Sequence, residues 1–413
     1  MLRPRTFTAC LLLAACASAA QADVALIGVG TIPGDAADLS GLKGKTSDGT
    51  PHNRLGGMGS AIAYTGQGNE YLLVSDRGPK DGATDFVCRW HQMEVGVAPG
   101  AKTPVTLKLT ATTLLTNESG KRFVGSLDAF EHTAPAKNLR LDPEGARVGR
   151  DGTVHLSDEY GPGLYAFNQS GTRVASLPMP AHFLAPKPGK MPADELPPKS
   201  ASGRQPNRGM EGLAISPDGK KLFGIMQSPL IQDGALDDKN NRTGLNCRIL
   251  ELDLTTQKSR EFVYPLENAG YGVNEILAVN DHEFLVLERD GKGGNEAEFK
   301  RLYLIDLTDA TDVSAVAALP AKGLPGAVKS VKKKPFLDLL AKKYGIAGPE
   351  CPEKFEGLAF GPDLPDGRRL LLVTADNDFL ANKPFRVYAF AVDRGELPGF
   401  RPQQFDPQPL KKR

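Results

Sequence analysis

Tryptophan occurs once in the 413 residues, and the 6 histidines (His52, His91, His132, His155, His182 and His282) are scattered singly. No His-Glu-x-x-His pairs two of them for zinc, and no Arg-His-Gly marks a histidine phosphatase. A Gly-x-Ser-x-Gly elbow is missing too, which excludes the serine-triad route to ester hydrolysis. Neither sign of charge dominates: 50 Lys+Arg stand against 49 Asp+Glu, so nothing draws the chain to nucleic acid or an anionic membrane. After the first residues, no apolar run approaches the roughly 18 needed to span a bilayer. Of 5 cysteines, Cys10 and Cys16 lie in the first residues, leaving Cys88, Cys247 and Cys351. Three thiols permit one disulfide or none, and no zinc-ligand cluster is among them.

What the chain has in quantity is turn chemistry, with 45 Gly and 32 Pro at 40% hydrophobic and 24% charged residues. That is the composition of a turn-rich β protein. Its opening, MLRPRTFTACLLLAACASAAQA, has Arg3 and Arg5, an apolar core, then Ala20-Gln21-Ala22. This layout predicts a signal peptide over 1–22, cleavage before Asp23, and a periplasmic or secreted protein. Leu13-Ala14-Ala15-Cys16 offers an alternative, a lipid anchor at Cys16 and an outer-membrane lipoprotein. A single domain, acting as a monomer, is expected over 23–413.

Five segments share one form: a short apolar strand, a turn, a second apolar strand and a polar tip. They begin at Gly56, Asp142, Arg208, Gly272 and Lys354, and each is followed by a further strand such as GLYAFNQSG or FRVYAFAVD. Several strands per unit, with units of roughly 60 to 85 residues, predict an all-β fold, a β-propeller with insertions. Six blades are expected, five visible as repeats and one diverged. The strand VALIGVGTI near the N-terminus has no blade of its own and is expected to complete the last one. Residues 179–206, rich in Pro and Lys, should be an inserted loop. Residues 328–345, VKSVKKKPFLDLLAKKYG, break at Pro335 and then read as a short amphipathic helix through Phe336, Leu339, Leu340 and Tyr344.

Aligning the repeats puts Glu144, Glu211, Glu275 and Glu356 at the start of each first strand, with Gly59 in the first repeat. First strands line a propeller's channel, so these carboxylates should face one another. The second strands end in Asp76-Arg77, Asp158-Glu159, Gln227, Glu288-Arg289 and Asp376-Asn377-Asp378. Carboxylates a few Å apart need protons, cationic partners or a metal. Arg77, Arg208, Arg289 and Lys354 offer one neutraliser. A divalent cation offers the other, and all-oxygen ligands suit Ca²⁺. The expected metal ligands are Asp76, Glu144, Glu211, Glu275, Glu288, Glu356 and Asp376. The expected catalytic set is Glu211, Arg208, Asp158, Glu159, Arg77 and Arg289, with Arg and metal on phosphoryl oxygens and a carboxylate orienting water.

Several stretches together carry a resemblance: LVSDRGP at 73–79, LDPEGARV at 141–148, LSDEYGPGLYAFNQSG at 156–171, NRGMEGLAISPDGKKLFGIMQSPL at 207–230, FLVLER at 284–289 and KFEGLAFGPD at 354–363. The sequence resembles the phytase-like family, "esterase-like activity of phytase", of exported bacterial proteins. That resemblance implies a propeller whose recurring acids hydrolyse phosphoesters, by analogy with calcium-dependent propeller phytases. Asp76, Arg77, Glu144, Asp158, Glu159, Arg208, Glu211, Glu288, Arg289 and Glu356 match its recurring positions, while Gly59 departs from them. The expected activity is metal-dependent hydrolysis of a small-molecule phosphoester. A lactonase-type ester hydrolase and a non-catalytic propeller binding a ligand or an envelope protein stay open.

Overall fold

The computed structural model describes residues 24–131, 137–186, 188–189 and 191–406. The expected leader 1–22 with its Cys16, and also His132, lie outside the described residues.

The apolar runs of the repeats form antiparallel four-stranded sheets. After β1 (Val24–Ile32), blade 1 comprises β2 (Ala61–Tyr64), β3 (Glu70–Val74), β4 (Arg89–Val97) and β5 (Val105–Leu114). Blade 2 comprises β6 (Pro143–Val148), β7 (Val154–Asp158), β8 (Gly163–Phe167) and β9 (Arg173–Ser176). Blade 3 comprises β10 (Met210–Ile215), β11 (Lys221–Met226), β12 (Asn246–Asp253) and β13 (Ser259–Pro265). Blade 4 comprises β14 (Gly272–Ala278), β15 (Glu283–Arg289), β16 (Lys300–Asp306) and β17 (Lys332–Asp338). Blade 5 comprises β18 (Phe355–Phe360), β19 (Arg369–Ala375) and β20 (Phe385–Val392), with β1 outermost. There Val24 pairs with Val392 and Ile32 with Phe385, so both ends of the chain close the ring, as VALIGVGTI predicted.

The first strands β2, β6, β10, β14 and β18 neighbour one another in a circle around the channel. Each sheet is sandwiched between two others, so both of its faces must be apolar. β3 shows the result: Tyr71 and Leu73 pack toward blade 5, while Leu72 and Val74 pack toward blade 2. Each large apolar side chain so buried contributes about 1.5–3 kcal/mol.

Two expectations fail. The ring has five blades, not six. The length that suggested a sixth lies between strands, at 115–142, 177–209 and 307–331. The helix expected in 328–345 is also absent: the segment is β17 followed by a single 3-10 turn, Lys342–Tyr344. Pro335 sits opposite Tyr303 in this edge strand, where a missing N–H costs no ladder bond. The loop expected at 179–206 is a loop, with 3-10 turns at Ala181–Phe183 and Pro192–Asp194. Cys88, Cys247 and Cys351 are separate buried thiols.

Candidate functional site

Regular pairing would send alternate residues of a first strand to alternate faces. In blades 2 to 5 the register instead shifts near the start of that strand. The shifts fall between Pro143 and Ala146, Met210 and Gly212, Val273 and Glu275, and Phe355 and Leu358. β2 pairs with β3 without a shift. Such bulges re-aim a side chain, and here they bring Glu144, Glu211, Asn274 and Glu356 to the lining of one cavity of about 390 Å³.

Blade 4 therefore contributes an amide where its neighbours contribute acids, and Glu275, expected among the ligands, does not line the cavity. It occupies the place that Gly145, Gly212 and Gly357 hold elsewhere. Its Oε2 meets Arg147 Nη2 at 3.0 Å, and its Oε1 accepts the backbone N–H of Leu213 at 3.0 Å. Burial pushes its carboxyl up to about 7, with Arg147 pulling the other way. The Gly59 departure has a steric cause: a Cβ there would stand 2.4 Å from the Asp376 backbone, so blade 5 already fills the space.

Blade 1 contributes through its tip. Arg77 donates to Asp142, to Glu159 Oε2 at 3.1 Å and to Asp81 at 3.3 Å. Burial disfavours the charge on Arg77, yet Asp142 and Glu159 outweigh it and hold its pKa well above the ordinary value. Asp142 is correspondingly low: burial opposes ionisation, and Arg77 and Arg140 overcome it. This residue was missed, because a lone Asp before Pro143 reads as turn punctuation. Glu159 is steadied from behind. Arg204 Nε donates to the Tyr160 carbonyl at 2.6 Å, and its other nitrogens hold Glu195 of the inserted loop.

Two cations at the far wall are also paired, Arg289 with Glu356 at 2.9 Å and Lys354 with Asp378 at 2.9 Å. Arg208 differs. It donates to Ser228 Oγ at 2.9 Å and has no carboxylate at ion-pair distance among the described residues. Burial, with Arg242 adding repulsion, lowers its pKa to about 10. It stays a cation at neutral pH, favoured through space by Glu159 and Glu211 but held by neither in a contact ion pair.

Not every expected acid reaches the cavity. Asp158 turns into its own loop, accepting from the backbone of Asp142, Tyr160 and Gly161. Glu288 is held between blades by Tyr264 of blade 3 at 2.7 Å and Lys333 of blade 4 at 2.8 Å. Asp376 lies beside Asp76 and Asp378, but its oxygens accept the N–H groups of Asn377 and Asp378.

Seven acidic side chains and four cations line the cavity, so the acids outnumber the cations by three. Burial, then mutual repulsion, holds Glu144 and Glu211 well above the ordinary carboxylate range. Arginine pairing is thus real but incomplete. Among the described residues, three buried acceptors that belong to the cavity lining have no hydrogen-bond donor: Glu159 Oε1, Glu211 Oε2 and Asn274 Oδ1. Glu159 also belongs with Asp142 and Glu144 to a group whose ligand atoms lie within 4.8 Å of one another. A hard divalent cation fits such an oxygen-only set.

A protein of Arthroderma benhamiae named "uncharacterized secreted protein" is 28% identical in an alignment of 345 positions that covers 66% of this chain and 64% of that one. This chain therefore spans less than two thirds of that relative's length. Among solved structures, regucalcin of Agrobacterium tumefaciens, titled a calcium-binding protein, aligns over 84% of this chain and 93% of its own at 10% identity and TM-score 0.37. Virginiamycin B lyase of Staphylococcus aureus aligns over 80% and 79% at 11% identity and TM-score 0.33. At these values neither structure bears on activity. The sequence profile described as "Phytase-like: Esterase-like activity of phytase" matches residues 53–379, well over half of the chain. The chain belongs to the phytase-like family.

Proposed function

We propose that the protein is an exported hydrolase of small phosphoesters that depends on a divalent cation, Ca²⁺ being the ion its oxygen donors suit. The observation that carries the reading is one cavity holding buried acceptors without donors, Glu159 Oε1, Glu211 Oε2 and Asn274 Oδ1, beside Arg208, a cation with no contact ion pair among the described residues. Glu144, Glu159, Glu211 and Asn274 would hold the ion, and the bound ion supplies positive charge for phosphoryl oxygens and a more acidic water. Arg208 binds and orients the phosphoryl group, its donors having no competing carboxylate. Arg77 and Arg289 fix Glu159 and Glu356 in place. Asp76 is a buried part of the cavity wall, where burial and Asp376 raise its pKa and Lys354 opposes them.

Phosphate release from phytate and p-nitrophenyl phosphate tests this, with the purified protein in Ca²⁺ and in chelator. Release should require Ca²⁺ and fall at least a hundredfold in Arg208→Met. Lactone opening without phosphate release would move the site to carboxylic esters. Inertness toward both would make the protein a binding propeller.

A further inference from the structure

Arg208 reaches the acidic cavity on a turn whose shape the sequence dictates. Gln205, Pro206, Asn207 and Arg208 form it, and Arg208 N closes it by donating to Gln205 O at 3.2 Å. A proline at the second place and a positive φ at the third are the pattern of a type II turn. Asn207 supplies that φ, at +53°. Asparagine enters the left-handed region more readily than most residues with a Cβ, whereas a β-branched residue there is a misfit.

Both flanks of the turn are pinned. Before it, Gln205 Nε2 donates to Pro229 O at 2.8 Å, and Arg204 is tied to Tyr160 and Glu195. After it, Gln227 N donates to Gly209 O at 2.9 Å. A Cβ on Gly209 would stand 1.8 Å from Glu159 O, so the chain leaves the turn pressed against blade 2. With the flanks held, the backbone of the turn decides where the Arg208 side chain sets out. Pro206, Asn207 and Arg208 all line the cavity, and Ser228 Oγ then steadies Arg208 Nη1 at 2.9 Å. The Asn207 side chain is exposed and makes no hydrogen bond among the described residues. Its backbone, not its amide, is what the turn uses. A non-glycine residue held in this conformation stores strain, which surroundings must maintain.

We propose that Asn207 is a positioning residue of the anion site: its left-handed backbone aims Arg208 into the cavity, where the guanidinium meets phosphoryl oxygens. A clamp aimed in advance spends less binding energy on being ordered. The inference rests on the proposed role of Arg208 as the phosphoryl-binding cation.

Titration calorimetry of the whole protein with inorganic phosphate in calcium buffer tests it. Asn207→Val, which rejects a positive φ, should weaken phosphate by roughly tenfold or more. Asn207→Gly, which keeps the turn without the amide, should stay within about threefold of the wild type. Arg208→Met separates the two claims. No phosphate binding by the wild type, or wild-type affinity in Arg208→Met, would remove the role of Arg208 and this inference with it. A weak Arg208→Met beside a folded Asn207→Val of wild-type affinity would remove the role of Asn207 alone. Equal weakness in Asn207→Gly and Asn207→Val would place the effect in the amide and overturn the backbone role. Should Asn207→Val not fold, Asn207→Ala carries the same test.

Discussion

Asn274 donates its side-chain N–H to Glu211 Oε1 at 2.9 Å, from the position where three other blades place a carboxylate. Gln227 donates to the same oxygen at 2.7 Å. One oxygen of Glu211 is thereby saturated while Oε2 is left bare. An acid in blade 4 would repel Glu211 instead of holding it.

Asn274→Asp separates the two ways of neutralising the cavity. It removes a donor and adds a negative charge, so the variant should melt below the wild type in chelator. Calcium should then raise its melting temperature by more than it raises the wild type's, because a native-state ligand stabilises by mass action. Scanning calorimetry in both conditions reads this. An equal or smaller rise would mean that cations of the chain alone balance the site.

Arg77 holds Asp142 and Glu159 together in a buried cluster. Removing one partner from such a group leaves uncompensated charge and costs about 3–5 kcal/mol. Arg77→Met should lose that much in urea unfolding, and Asp142→Asn made in addition should return part of it. Strict additivity of the two changes would show that the pair is not coupled.

A pH effect arises away from the cavity. His91 lies between two hydroxyls, Ser75 Oγ at 3.2 Å and Thr112 Oγ1 at 3.0 Å. Burial pushes its pKa from 6.5 down to about 3. The unfolded chain thus takes up a proton that the folded protein refuses. This penalty is absent above pH 6.5 and grows as pH falls toward 3. At pH 5 it amounts to about 2 kcal/mol, at 1.36 kcal/mol per unit. His91→Gln should therefore lose less stability between pH 7 and pH 5 than the wild type, by urea unfolding at each pH. Identical losses would remove His91 from the acid response.

The repeats made the propeller legible, and the orphan strand VALIGVGTI revealed how the ring closes. Blade number was not legible, because loop length and blade length look alike along a chain. Phe336, Leu339, Leu340 and Tyr344 have helical spacing, yet Pro335 stands in an edge strand. The choice between Glu275 and Asn274 turned on a bulge, and a one-residue slip reverses which side chain faces the channel. Asp158 and Glu288 show a similar limit. An acid at a strand end binds a ligand or ties down its own loop according to neighbours far away in sequence.

Equilibrium dialysis of the chelator-stripped protein against radiolabelled Ca²⁺ asks most directly whether the bare oxygens of Glu159, Glu211 and Asn274 await an ion. Saturable uptake is expected, abolished in a Glu211→Gln variant that keeps the wild-type circular dichroism. No uptake by the wild type, or undiminished uptake by the variant, would contradict it.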